Sequence, residues 1–211
     1  ELANVLQQED HLVNELQPYG LGTLDFLALS TLFRYDNRDD KEIPFTGYYL
    51  DAYAEIYPPT LNNKDFFGKI TLDGRTYLTP KNFADLTLAL RAYSEIAWGE
   101  YPFYKGASIG GKKTLRGFSR DRYVGDFAVL GSAELRYYLT KVYFLIPFQF
   151  GINLFTDTGR VFYADEESFK WHTSFGGGFW FSINERAINF SLNIAKSPET
   201  LRFYISAGQM F

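Results

Sequence analysis

The sequence predicts an all-β protein, an antiparallel barrel whose strands cross a membrane. Three observations carry that prediction. After Gly22, apolar and polar residues alternate with period two in segment after segment, the mark of strands with one apolar and one polar face. The 211 residues include 21 Phe, 16 Tyr and 3 Trp against one Met, and this aromatic excess suits pleated strands and a lipid–water boundary. No apolar run reaches the roughly 18 residues of a membrane helix, so neither a membrane-spanning helix nor a signal peptide is predicted within these residues. A barrel strand needs no such run, because only its lipid-facing residues are apolar.

Residues 1–19 are the one helix-like segment. Leu2, Val5, Leu6, Leu12, Val13 and Leu16 fall at helical spacing, and Pro18 and Gly20 stop it. It reads as a packed or linking amphipathic helix ahead of a barrel over residues 20–211. A start at Glu1, without Met, reads as a processed chain or a fragment.

Strands are predicted over residues 24–35, 48–57, 66–77 and 86–98, separated by polar turns that include Pro44, Gly47 and Pro58-Pro59. A long loop, 98–126, follows. Five more strands complete an antiparallel meander: 127–139, 148–161, 173–183, 188–195 and 201–211. In the first of these, Ala133, Leu135, Tyr137 and Leu139 face one way and Ser132, Glu134, Arg136 and Tyr138 the other. The next sets Phe148, Phe150, Ile152 and Leu154 against Gln149, Gly151, Asn153 and Asp157. In 173–183, Phe175, Phe179 and Phe181 oppose Ser174, Gly176, Gly178 and Ser182, and these small residues make room for something in the lumen. The last two strands repeat the pattern. A soluble sandwich would bury the apolar face, whereas a membrane barrel turns it to lipid and the polar face to a wet lumen. Trp98, Trp171 and Trp180, near strand ends, fit interfacial girdles.

Several chemistries are excluded. A net charge of −4 gives no reason to expect a nucleic-acid partner. The absence of Cys removes disulfides and thiolate sites, and two His, His11 and His172, are too few for a His-rich metal site. The acidic turn at Asp36–Asp40 lacks the Gly of a calcium loop, since Lys41 stands there. Residues 106–113 approach a phosphate-binding loop but end in Lys113 instead of Ser or Thr, and strands flank them on both sides. Neither His serves a nucleophile elbow. Glu134 and Asp157 share the polar face of adjacent strands. Hydrolysis by such a pair is chemically conceivable, but two carboxylates in a confined lumen are more simply read as needing a cation. Arg116 is the candidate, since a guanidinium can fork between them. No catalytic residue, metal site or cofactor is assigned.

At this loop the chain resembles a family. Gly110-Gly111 followed by Leu115-Arg116-Gly117-Phe118 is similar to the loop signature, Val-Arg-Gly-Phe or Tyr, of the BamA/TamA superfamily of outer-membrane barrels. Glu134 and Asp157 match that family's acids on the next two strands. Tyr35-Asp36-Asn37-Arg38-Asp39 with Pro44 and Gly47 resembles another recurring stretch. The final strand, with Phe203, Ile205, Gly208 and the terminal Phe211, resembles an outer-membrane sorting signal, although Gln209 interrupts its apolar alternation.

The resemblance implies an inward-folded loop latched by Arg116 on Glu134 and Asp157, and a seam between first and last strands where a client strand can pair. It implies the bacterial outer membrane, insertion or translocation of outer-membrane proteins, and client proteins or assembly-machinery subunits as partners. Nine predicted strands against about sixteen in the family imply the C-terminal part of a barrel, with an N-terminal periplasmic domain outside this sequence. Other readings are a short barrel that closes by oligomerising or by a further strand in the helix-like first segment, an anchor or exporter for a fused patatin-like or metallophosphoesterase hydrolase, a plain porin, and a soluble sandwich. With the C-terminus periplasmic, loop 98–126 lies on the outer side and the turn at 36–46 on the periplasmic side.

Overall fold

The computed structural model describes residues 19–20, 24–61, 63, 65–143, 145, 147–163, 170–183, 186 and 188–209. The helix-like reading of residues 1–19 therefore lies outside the described residues, apart from Tyr19, which is in a turn.

Nine strands form one sheet in sequence order, each antiparallel to its neighbour: β1 (Leu29–Asp36), β2 (Gly47–Tyr57), β3 (Phe67–Leu78), β4 (Leu86–Gly99), β7 (Phe127–Tyr143), β8 (Pro147–Phe162), β9 (His172–Ile183), β10 (Ile188–Lys196) and β11 (Leu201–Ala207). β1 and β11 are its edges. Between β4 and β7 the long loop carries a 3-10 turn, Phe103–Lys105, and a two-stranded ribbon of β5 (Ala107–Ile109) and β6 (Tyr123–Gly125), structure that the sequence pattern does not announce. None of the described helices is long and apolar enough to cross a membrane.

The sheet is turned inside out relative to a soluble protein. Leu154, Phe175, Phe179, Leu192, Phe203 and Ile205 are exposed on one face, while Asn153, Asp157, Ser174, Ser182, Ser191 and Asn193 are buried on the other. Alternation alone produces this, because neighbouring residues point to opposite faces. The apolar exposure far exceeds what scattered surface hydrophobes explain.

Four local findings depart from the sequence expectations. β1 begins at Leu29, not at residue 24, and β11 ends at Ala207, where Gly208 with φ +74° turns the chain. β7 runs on to Tyr143 because a bulge between Tyr138 and Thr140 absorbs Leu139 and restores the alternation. Trp180 is not an interfacial residue: it lies on the inner face, 1% exposed, over Gly151, its partner in the β8–β9 register. The alternation already dictated this, since Trp180 shares parity with Ser174 and Ser182. The same pairing explains the Gly-rich face of β9: Gly176 lies opposite Phe155 and Gly178 opposite Asn193, and a Cβ at either would overlap those side chains.

Candidate functional site

The long loop folds onto the inner face of the sheet and is held there first by apolar packing. Ile109, Leu115 and Phe118 of the loop are buried in one cluster with Ala97 of β4 and Ala128 and Leu130 of β7. Each large side chain removed from water contributes about 1.5–3 kcal/mol. Small Ala residues on the wall make the close approach possible. Gly110 and Gly111, with φ +135° and +86°, take the backbone through a bend that disfavours side chains. Thr114 Oγ1 closes that bend by accepting from the Gly110 amide and donating to the Gly110 carbonyl, both at 2.9 Å.

Arg116 follows directly and is 1% exposed. Its Nε and Nη2 donate to the two oxygens of Asp157 at 2.6 and 2.7 Å, a bidentate fork. Its Nη1 donates to Glu134 Oε2 at 2.7 Å. The guanidinium also lies 3.4 Å from the centroid of the Phe155 ring. The sequence thus named three residues that the fold brings together: β7 supplies Glu134, β8 supplies Asp157, and both carboxylates are fully buried.

Sequence reasoning missed the rest of the set. Arg136 Nε donates to Glu134 Oε1 at 2.8 Å, so two cations and two carboxylates form a neutral buried quartet. The signal was present, since Arg136 is two residues from Glu134 on the same face. Arg136 Nη1 also reaches the Pro44 carbonyl, at 3.4 Å, in the turn between β1 and β2. No signal pointed to the ties from the last hairpin. Tyr204 OH accepts from the Gly117 amide at 2.8 Å, and Ser197 Oγ donates to the Gly117 carbonyl at 2.8 Å. Arg202 Nη2 donates to Ser119 Oγ at 2.7 Å, and Arg122 pairs with Glu199 at 3.0 Å. The Arg122 guanidinium holds the Glu199 carboxyl below its ordinary pKa, assisted by the Tyr123 hydroxyl. Tyr123 in turn stacks on His172 with ring centroids 3.6 Å apart.

The residues read as a sorting signal are not brought into this site. Phe203 and Ile205 point outward, 76% and 75% exposed, Gly208 is buried beside Glu42, and Phe211 lies outside the described residues. No cluster of three or more His, Cys, Asp or Glu suited to a metal ion occurs among the described residues.

No curated protein matches the chain. Among solved structures, the chain is similar to BamA from Haemophilus ducreyi lacking POTRA domains 1-3, with a TM-score of 0.66, 17% sequence identity and coverage of 86% of this chain. It spans 42% of that chain's length. The family model described as the Omp85 superfamily domain matches residues 6–211. An outward apolar face, an inserted loop and a match over nearly the whole length agree: the chain belongs to the Omp85 superfamily.

Proposed function

We propose that residues 20–211 act in the bacterial outer membrane as part of a barrel that inserts or translocates other outer-membrane proteins, with the inserted loop as an internal latch. The observation that carries this reading is the Arg116–Glu134–Asp157 set, buried on the polar face of a sheet whose other face is apolar and exposed. Buried charge of this kind has no use in a lipid-facing scaffold alone, whereas it fixes one position of a loop across a lumen. A lumen crossed by such a loop also favours a gated barrel over an open diffusion pore. The partners in this reading are outer-membrane lipid, client proteins or assembly subunits, and an N-terminal periplasmic domain. Client strands pair with an exposed sheet edge through backbone hydrogen bonds. Nothing in the step is covalent, so it uses no cofactor.

The test is insertion of an unfolded outer-membrane barrel into lipid vesicles that contain the full chain, followed by heat-modifiable gel migration. Faster folding than in empty vesicles is expected. An unchanged rate overturns the proposal.

A further inference from the structure

The hydrogen-bond parity of β11 shows which of its backbone groups point off the sheet. Gly208 N donates to Asn189 O, and the β10–β11 register pairs Phe190 with Ala207 and Leu192 with Ile205. In an antiparallel ladder, pairs that exchange hydrogen bonds alternate with pairs that do not. Asn189–Gly208 is bonded, so Ser191–Ser206 and Asn193–Tyr204 are bonded too. Leu192–Ile205 is therefore a non-bonded pair, and the N–H and C=O of Ile205 point away from β10, to the edge of β11 that no described strand covers. The same holds for Leu201, Phe203 and Ala207. A partner strand pairing with this edge would use these groups.

The Ile205 carbonyl is already taken. Lys112 Nζ, from the inserted loop, donates to the Ile205 carbonyl at 3.0 Å. This contact joins positions 93 residues apart. The Lys112 backbone is held in place: the Gly110–Thr114 bonds close the bend that contains it, and the Lys113 carbonyl next to it accepts from Arg91 Nη1 at 2.6 Å. Arg91 is itself forked onto Asp73 at 2.8 and 2.9 Å. The ammonium therefore reaches the edge from a fixed base. Just past the strand, Gly208 bends the chain and the Gln209 amide donates to the Glu42 carbonyl at 3.2 Å, so the turn between β1 and β2 occupies the end of the same strand.

We infer that Lys112 is an internal cap on the strand-accepting edge of β11, so that the inserted loop and an incoming strand compete for the Ile205 carbonyl. The inference rests on the strand-pairing reading above and adds a regulation to it. A lysine is suited to the task, because a charged donor blocks an edge acceptor without offering a strand of its own. Its long flexible stem lets the cap leave without moving the Arg116 quartet.

The test uses the full chain in detergent micelles and a labelled synthetic peptide with the sequence of residues 201–211, carrying a benzophenone. Crosslinks are mapped by mass spectrometry, and affinity is measured by fluorescence anisotropy. Lys112→Ala is expected to bind about five-fold tighter than wild type, with crosslinks on residues 201–207. That ratio corresponds to roughly 1 kcal/mol, the net worth of one hydrogen bond. Lys112→Arg, which retains a donor, and Lys113→Ala, which removes a neighbouring charge, should stay within about two-fold of wild type. Equal binding by wild type and Lys112→Ala overturns the cap and leaves strand pairing intact. A gain in Lys113→Ala as large as in Lys112→Ala reduces the effect to charge and also overturns it. No crosslink to residues 201–207 in any variant overturns the strand-pairing reading, and the cap with it.

Discussion

Replacing Arg116 by Ala tests the latch most severely. The substitution removes three side-chain hydrogen bonds, at 2.6, 2.7 and 2.7 Å, and the guanidinium packed over Phe155. The larger consequence is charge. Arg136 still faces Glu134, but Asp157 keeps a fully buried carboxylate without the cation that faced it. Breaking a buried pair by removing one partner costs about 3–5 kcal/mol. For the inserted position of the loop, that is an opening equilibrium shifted by about two to four orders of magnitude. The assay is the rate of tryptic cleavage after Lys112 and Lys113 in the detergent-solubilised chain, with heat-modifiable migration reporting whether the sheet survives. Arg116→Ala should be cleaved far faster at an unchanged gel position. The double variant Arg116→Ala/Asp157→Asn should recover part of the protection although it has fewer charged groups, because it removes the stranded anion. If Arg116→Ala is cleaved at the wild-type rate, or the double variant is worse than the single one, burial of charge is not what holds the loop.

Other outcomes follow from particular contacts. Gly117→Ala places a Cβ at φ +85°, 3.2 Å from Ser197 Cβ and 3.3 Å from Ser174 Cβ, and should loosen the loop by about 1–2 kcal/mol, read as faster trypsin cleavage at Lys112–Lys113. Gly151→Ala drives a Cβ into the Trp180 indole and should lower the temperature at which the folded gel band is lost, by the roughly 1–3 kcal/mol of an overpacked site; an unchanged transition counts against the close fit. Burial disfavours the Asp39 carboxylate, but the amides of Thr46 and Phe45 and the Arg186 guanidinium outweigh it and hold its pKa below the ordinary value. With the folded pKa depressed, the tie from Asp39 to Arg186 is fully present above the ordinary Asp pKa of about 3.9 and is lost only as pH falls through the lower, folded value. A carboxyl-carbon NMR titration of Asp39 with a midpoint at or above about 3.9 would contradict this.

Alternation made most of the sheet legible. Glu134 and Asp157 were legible as acids on the polar faces of neighbouring strands; the register sets them diagonally, Glu134 opposite Phe155 and Asp157 opposite Ser132, and Arg116 bridges them. Arg116 was legible from the opposite direction, as a permanent cation followed by Gly117 and Phe118, a poor solvent tip and a plausible inserted one. Trp180 shows where composition misleads: aromatic identity suggested the membrane boundary, whereas parity put the ring inside, over Gly151. The ribbon of β5 and β6 was not legible because its three-residue strands are too short for a period to show. The hold of Tyr204 and Ser197 on Gly117 depends on how far the sheet curls, a tertiary quantity that no local pattern encodes.

The two sides of the loop are fastened by different physics, and this sets the order in which they can release. Toward β7 and β8 the loop is joined by a neutral quartet at zero to 1% exposure, where separating any one charge from its partners carries the desolvation cost. Toward the last hairpin the charged ties are exposed: Lys112 to the Ile205 carbonyl and Arg122 to Glu199. Exposed ion pairs contribute about 0–1 kcal/mol and weaken with salt. To these are added the hydrogen bonds of Tyr204 and Ser197 to Gly117, of Arg202 to Ser119 and of Tyr123 to Glu199. Each tie to the last hairpin is worth about 0–1.5 kcal/mol and can break singly, whereas separating the first charge of the quartet costs about 3–5 kcal/mol in one step. The expected order, should the edge at β11 open, is release of the last hairpin first, with the loop still held on β7 and β8.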